Sequence, residues 1–169
     1  DTANVLLAAM GNRAGQTEMK DYDRKTLSPF YGVYYGQSAL PLEPDTITYL
    51  ENDALRQAVV QSAEEAGTLP VYAVENFPGL DGYDVFLSGA QAVLTLENPR
   101  AQTSRELILF RDSFGSAIAP LLANGYRKIT LVDLRYISTE YLTQYVDFCG
   151  QDVLFLYSTP LLNSAMLLK

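Results

Sequence analysis

A chain of 169 residues with 48% apolar and 19% charged positions has the composition of a folded protein and is long enough to bury one sizeable core. Its formal net charge is −8 and its basic residues are scattered, which argues against nucleic acid and against an anionic membrane surface as partners. Histidine is absent and cysteine occurs once, so the commonest general base and the usual zinc ligands are missing, and neither a metal nor a cofactor is expected.

Residues 1–10 carry Val5, Leu6, Ala9 and Met10 at helical spacing, with Thr2 as a possible N-cap and Gly11 as a stop, so the pattern predicts a short helix. Residues 11–37 are punctuated by Gly and Pro too often for a long regular element. Tyr31, Tyr34 and Tyr35 in that stretch either pack on the body of the domain or offer ring faces to sugars. After the turn-rich 41–45, Thr46, Ile47, Thr48, Tyr49 and Leu50 alternate like a strand. Residues 54–66 favour a helix by propensity, with a hairpin between 56–62 and 69–75 as the alternative.

Tyr83, Asp84, Val85, Phe86 and Leu87 read as a buried strand ending at Ser88 and Gly89, and residues 92–97 as another. Residues 106–110 (Glu-Leu-Ile-Leu-Phe) form the clearest strand, followed by the polar corner Arg111, Asp112, Ser113. Apolar residues then recur at 114, 117, 118, 121 and 122, a helical face that carries Pro120 and the kink expected of it. Residues 128–132 are a strand ending at Asp133 and Arg135. Ser138 is placed to cap a helix with Tyr141, Leu142, Tyr145, Val146 and Cys149 on one apolar face, which predicts a buried thiol. Residues 153–157 give a last strand, and Pro160 suits the first turn of a helix over 161–168. No stretch reaches the roughly 18 apolar residues of a membrane span.

Repeated strand-then-helix units from 106 onward predict an α/β domain with a mostly parallel sheet, its core in 83–169 and residues 1–50 at the periphery. In such a sheet the residues after each strand converge on one edge, which is where ligands bind. Ser113 sits there at a helix start. It reads either as a helix N-cap, with Asp112 serving the helix dipole, or as a nucleophile whose own N–H and that of Gly89 would hold an oxyanion. Gln91 offers a further side-chain donor. Arg111 and Arg135 either brace Asp112 and Asp133 or bind an anionic product. A serine nucleophile needs a base, and no histidine in these residues supplies one.

The runs Arg111-Asp112-Ser113-Phe114-Gly115, Ala119-Pro120-Leu121-Leu122, Val132-Asp133-Leu134-Arg135-Tyr136 and Val153-Leu154-Phe155-Leu156-Tyr157 resemble the bacterial DHHW family. Phe30-Tyr31-Gly32, Pro44-Asp45-Thr46-Ile47 and the 83–89 run fit the same pattern, in the same order. That family is similar to the SGNH-hydrolase-like domains of alginate O-acetylation proteins. The resemblance implies a flavodoxin-like, three-layer α/β/α fold and a single SGNH-hydrolase-like domain over 1–169, as the C-terminal part of a longer protein. It also implies an extracytoplasmic setting, and esterase or O-acyltransferase chemistry on a polysaccharide or acyl ester of the cell envelope. It carries the nucleophile onto Ser113, with Asp112 and Arg111 beside it, and the oxyanion glycine onto Gly89. Gln91 stands where the family tends to have Asn. The Asp-His pair that names the family is expected just before Asp1. A non-catalytic, carbohydrate-binding domain that keeps the fold is the competing expectation, and the sequence assigns no oligomeric state.

Overall fold

The computed structural model describes residues 1–32, 41–77 and 81–169. The chain opens with α1 (Thr2–Ala9), capped at Asp1 rather than Thr2. An antiparallel pair follows, β1 (Asp23–Phe30) with β2 (Asp45–Glu51). The ambiguous 54–66 stretch divides between its two readings. A short helix α2 (Asp53–Gln57) is capped by Asn52, whose side chain accepts from the Leu55 N–H, and strand β3 (Val59–Ser62) follows directly. Val60 then bridges Leu69 through two backbone hydrogen bonds, as a hairpin would.

The main sheet is completed by β4 (Val93–Glu97), β5 (Glu106–Arg111), β6 (Lys128–Val132) and β7 (Asp152–Leu156), in the order β3-β4-β6-β5-β7. Helix α3 (Ser113–Leu122) follows β5, and α4 (Thr159–Asn163) follows β7. The α/β class holds, but the expected mostly parallel, flavodoxin-like three-layer arrangement does not. The β3–β4 and β4–β6 pairings are antiparallel, and only β6–β5 and β5–β7 are parallel. Two physical reasons account for this. The link from β4 to β5, residues 98–105, holds no helix and falls short of the dozen or so residues a parallel crossover needs. The expected strand at 83–87 is instead a 3₁₀ turn, Gly82–Val85, set by the Asp81 side chain accepting from the Tyr83 N–H. A five-residue apolar run does not by itself separate a strand from any other buried segment.

Strand β5 is buried on both faces, and its alternation divides the core in two. Leu107 and Leu109 join α1 and α3 through Leu7, Ala119 and Leu122. Ile108 and Phe110 face the other way, toward Val132, Ile137, Leu142 and Val146. A third cluster, Ile47, Tyr49, Val85 and Phe86, ties the β1–β2 pair to the body, and Ala117 of α3 packs against it. The helix expected after Ser138 is a 3₁₀ segment, Thr139–Gln144, and Ser138 makes no side-chain cap bond. Leu142 and Val146 turn inward there, while Tyr141 and Tyr145 stay about half exposed. Cys149 lies beyond this segment and is exposed, so the expected buried thiol is corrected. Among the described residues no helix is long and apolar enough to cross a membrane.

Candidate functional site

The parallel strands β5, β6 and β7 end on one edge of the sheet. Because β4 is antiparallel, it brings its beginning to that same edge, with Val93 opposite Val132. The segments converging there are therefore 111–113, 133–135 and 157–158 after strands, and 86–92 before one.

At the corner after β5, Asp112 is the N-cap of α3. Its Oδ1 accepts from the Phe114 N–H at 3.0 Å and its Oδ2 from the Ser158 N–H at 2.7 Å, so one carboxylate ties the ends of β5 and β7 to the helix start. The cap role read for Ser113 thus falls to Asp112. Ser113 is the first helical residue and is exposed. Its N–H leads the helix, where no intrahelical acceptor exists. Gly115 is required here, since a Cβ at that position would run into the Arg111 side-chain stem.

Arg111 and Asp133 form the buried floor of the edge, exposed by only 1% and 0%. Arg111 Nη1 donates to Asp133 Oδ2 at 3.3 Å, and its Nη2 donates to the Gln91 carbonyl at 3.4 Å. Arg135 adds two side-chain bonds to Asp133, at 2.9 and 2.6 Å. Burial pulls the Arg111 guanidinium down from its ordinary range, opposed by the Asp133 charge, while the bonds to Asp133 raise Arg135. These arginines brace the edge through Asp133. Asp112 takes its bonds from backbone instead. Among the described residues, the buried Arg111 Nε and Tyr157 hydroxyl find no hydrogen-bond partner.

The 86–92 segment enters this edge in an unusual backbone state. Leu87 (φ 55°), Ser88 (φ 61°) and Gly89 (φ 92°) all lie in the left-handed region, which costs energy at the two residues bearing a Cβ. Asp84 sits against Gly89, leaving no room for a Cβ there, and burial followed by the Asp81 charge raises the Asp84 carboxyl. The Gly89 N–H donates to the Phe86 carbonyl at 3.2 Å within its own turn. The Gln91 side-chain carbonyl accepts from the Ser62 hydroxyl, so that end of the amide is engaged on β3. Tyr83, raised by burial and then by the Asp112 charge, lies on the side of the corner where Ala117 meets Phe86.

Of the residues read as a sugar-binding surface, Tyr31 is 42% exposed, and Tyr34 and Tyr35 lie outside the described residues. A different aromatic group, two of whose members were expected on the apolar face of a helix, is exposed instead. Tyr136, Tyr141 and Tyr145 line a groove of about 580 Å³ beside β4 and β6. The recurrence of Tyr136, Tyr141 and Tyr145 in the stretch that follows β6 was the signal available. Among the described residues no three acidic or thiol side chains converge as a metal site.

Solved structures supply the comparison. A DHHW family protein from Eubacterium siraeum superposes with a TM-score of 0.67 at 22% identity, over 92% of this chain and 53% of that one. Bacillus cereus PatB1 bearing a sulfonyl adduct gives 0.68 at 18% identity, over 95% and 56%, and a second PatB1 structure gives 0.66 at 17%, over 95% and 59%. At these identities the likeness is one of fold, and the chain spans little more than half the length of each. No family model and no curated protein matches the sequence. A member of the DHHW family, which the sequence motifs resemble, is thus among the proteins whose fold this chain shares.

Proposed function

We propose that the protein carries the serine half of an esterase or O-acyltransferase site that works on cell-envelope polysaccharide outside the cytoplasm, with Ser113 as nucleophile. The observation that carries this reading is the exposed Ser113 at the first position of α3, on the convergent edge, with the preceding Asp112 pinned by two backbone donors. The Ser113 N–H, which has no intrahelical acceptor, is placed to meet the oxyanion that forms when a hydroxyl adds to an acyl carbonyl. In the first step the Ser113 oxygen bonds the carbonyl carbon, its proton passes to a base, and the alcohol leaves with a proton. In the second, water or a sugar hydroxyl takes the acyl group and frees the serine. The 169 residues contain no histidine, so the reading requires a base from outside them. The sulfonyl adduct on PatB1 supports it, because such an adduct is what a sulfonylating reagent leaves on a nucleophile.

The test is hydrolysis of 4-nitrophenyl acetate by the full-length protein, together with mass-spectrometric mapping of a sulfonyl fluoride label. Ser113→Ala is expected to lower turnover by about 10³-fold or more and to abolish the label. A full-length protein that neither turns over the ester nor takes the label overturns the reading. The lack of histidine favours a second reading, a non-catalytic glycan-binding domain, which predicts saccharide binding without ester turnover.

A further inference from the structure

We infer that β7 is not an edge of the sheet in the full-length protein: an additional strand, from the polypeptide that precedes Asp1, pairs parallel to it and feeds α1. Among the described residues nothing pairs with β7 on the side away from β5. Every second residue of a strand paired on one side turns its N–H and C=O outward, and such a row is an open template for another strand. The opposite edge differs, since β3 receives Leu69 through two backbone hydrogen bonds. The usual safeguards of an open edge are missing from β7. Residues 153–157 (Val-Leu-Phe-Leu-Tyr) hold no charge, proline or glycine. Val153 and Phe155 are 48% and 63% exposed, although Phe155 stacks on the buried Phe110 with ring centroids 4.6 Å apart. An apolar, uncharged strand of ordinary length is an aggregation hazard when left open, so a covering partner is expected.

The direction of α1 identifies that partner. Its C-terminal end lies at the edge where β5, β6 and β7 begin. There the Met10 carbonyl accepts from Arg105 Nη2 at 2.9 Å, and Asn12 Nδ2 donates to the Gly125 carbonyl. The Tyr126 hydroxyl, bonded to Asp152 at the start of β7, lies 3.5 Å from Met10 Sδ. Ala3 and Leu7 pack in the core with β5 and α3, so the N-terminus of α1 faces the ligand edge, as that of α3 does. This is the run of a helix that has just left a strand parallel to β5.

Handedness places the strand. The β5–β6 crossover passes through α3 on the Leu107 and Leu109 face, and the β6–β7 crossover returns through residues 139–144 on the Ile108 and Phe110 face. Direction and face reverse together, as a single hand of crossover requires. Because α1 lies on the α3 face, a strand before it must advance across the sheet in the sense from β5 to β6. The next strand in the chain that runs parallel to β5 is β3, since two antiparallel pairings separate it from β6. An advance toward β3 in that sense starts from the β7 side, where the free edge of β7 is the open position. Proteins of this fold have residues to supply it, since this chain spans 53% of the DHHW protein and 56–59% of PatB1. The turn from that strand into α1 then emerges beside Ser158, whose N–H donates to Asp112. It walls the serine corner on the side away from residues 86–92, two strand spacings of about 4.8 Å from β5.

The test is residue-resolved amide hydrogen exchange of the full-length protein, with nuclear Overhauser contacts to identify what lies against β7. Every amide from Val153 to Leu156 is expected to exchange about 10³-fold or more slowly than in an unstructured chain, at every protein concentration. Amide-to-Hα contacts are expected from β7 to residues that precede Asp1, staggered as in a parallel pair. Protection at alternate residues alone would leave β7 an open edge and overturn the inference. Protection that is lost on dilution, with sedimentation falling from dimer to monomer, would put a second copy in place of the strand and overturn it as well. Contacts in antiparallel order, or from any segment other than one preceding Asp1, would do the same. Ester turnover plays no part in this readout, so the strand and the serine reading stand or fall separately.

Discussion

Arg111 Nη1 lies 3.3 Å from the Asp133 carboxylate, and neither side chain reaches solvent. With Arg135 added, one carboxylate bonds two guanidinia at the end of the sheet. Removing Asp133 strands a cation with no route to water. Asp133→Ala should therefore lower unfolding stability by about 3–5 kcal/mol. Arg135→Ala, whose side chain is 27% exposed, should cost about 1 kcal/mol. Urea denaturation of the three proteins checks the order. If Asp133→Ala proved the milder change, the pair would not be the structural centre of the edge.

Asp112 holds two amides with one side chain, which separates its two jobs. Asn caps a helix about as well as Asp, so Asp112→Asn should keep the Phe114 bond, weaken the one from Ser158 and cost about 1 kcal/mol. Asp112→Ala should lose both and cost about 3 kcal/mol. Amide hydrogen exchange gives the site-specific readout: the Phe114 and Ser158 protons should both become unprotected in the alanine protein, and only Ser158 should be affected in the asparagine one.

At the far end of β7, the fully buried Tyr126 donates to Asp152 at 2.6 Å, and Arg105 also bonds Asp152. Burial, then the hydrogen bond to Asp152, pushes the phenol up to about 12. An unfolded tyrosine titrates near 10. The folded value is the higher one, so Tyr126 contributes stability that is whole below pH about 10 and is lost as pH rises through about 12. The stability difference between wild type and Tyr126→Phe should shrink across that window. A difference that stays constant in urea titrations at increasing pH would contradict the assignment.

Cys149 should react fully with a thiol reagent such as 5,5′-dithiobis(2-nitrobenzoate) in the native protein, because it is exposed. Its Sγ donates to Asp147 at 3.3 Å, and that carboxylate raises the thiol pKa. Thiolate is the reactive form. Asp147→Asn should therefore speed the reaction severalfold at pH 8. An unchanged rate would mean that Asp147 does not govern the thiol.

The parts of the fold legible in the sequence are those where local pattern and tertiary demand agree. The continuous apolar run in 106–110 and the helical spacing from 114 describe β5 and α3 closely, because that unit is buried on both sides and punctuated by charged residues. The direction of β4 was not legible. A strand's pattern is the same whichever way it runs, and only the absence of a helix in 98–105 spoke against a parallel crossover. Residues 83–87 misled for a related reason, since packing against Tyr49 and Ile47 makes a turn as apolar as a strand. The period was misread at 137–149: Leu142 and Val146 do turn inward, but Tyr141, Tyr145 and Cys149 belong to the outside. In the site, Ser113 and the Arg111–Asp133 partnership could be anticipated from their places after strands. The sharing of Asp112 between Phe114 and Ser158, and the tyrosine groove, depend on segments far apart in the chain.

The antiparallel run of β4 gives the ligand edge two kinds of joint. Segments that leave β5, β6 and β7 must also launch the elements that cover the sheet, so a change in their length would drag a helix or a 3₁₀ turn with it. Residues 86–92 carry no such duty, since they arrive at the edge and pass directly into a strand. Their cost is the left-handed stretch at Leu87, Ser88 and Gly89, already met in the folded state. Insertions at the tip of this segment would reshape the wall between the serine corner and the groove while leaving β5 and α3 in place. Selectivity can thus be retuned there while the serine corner keeps its geometry.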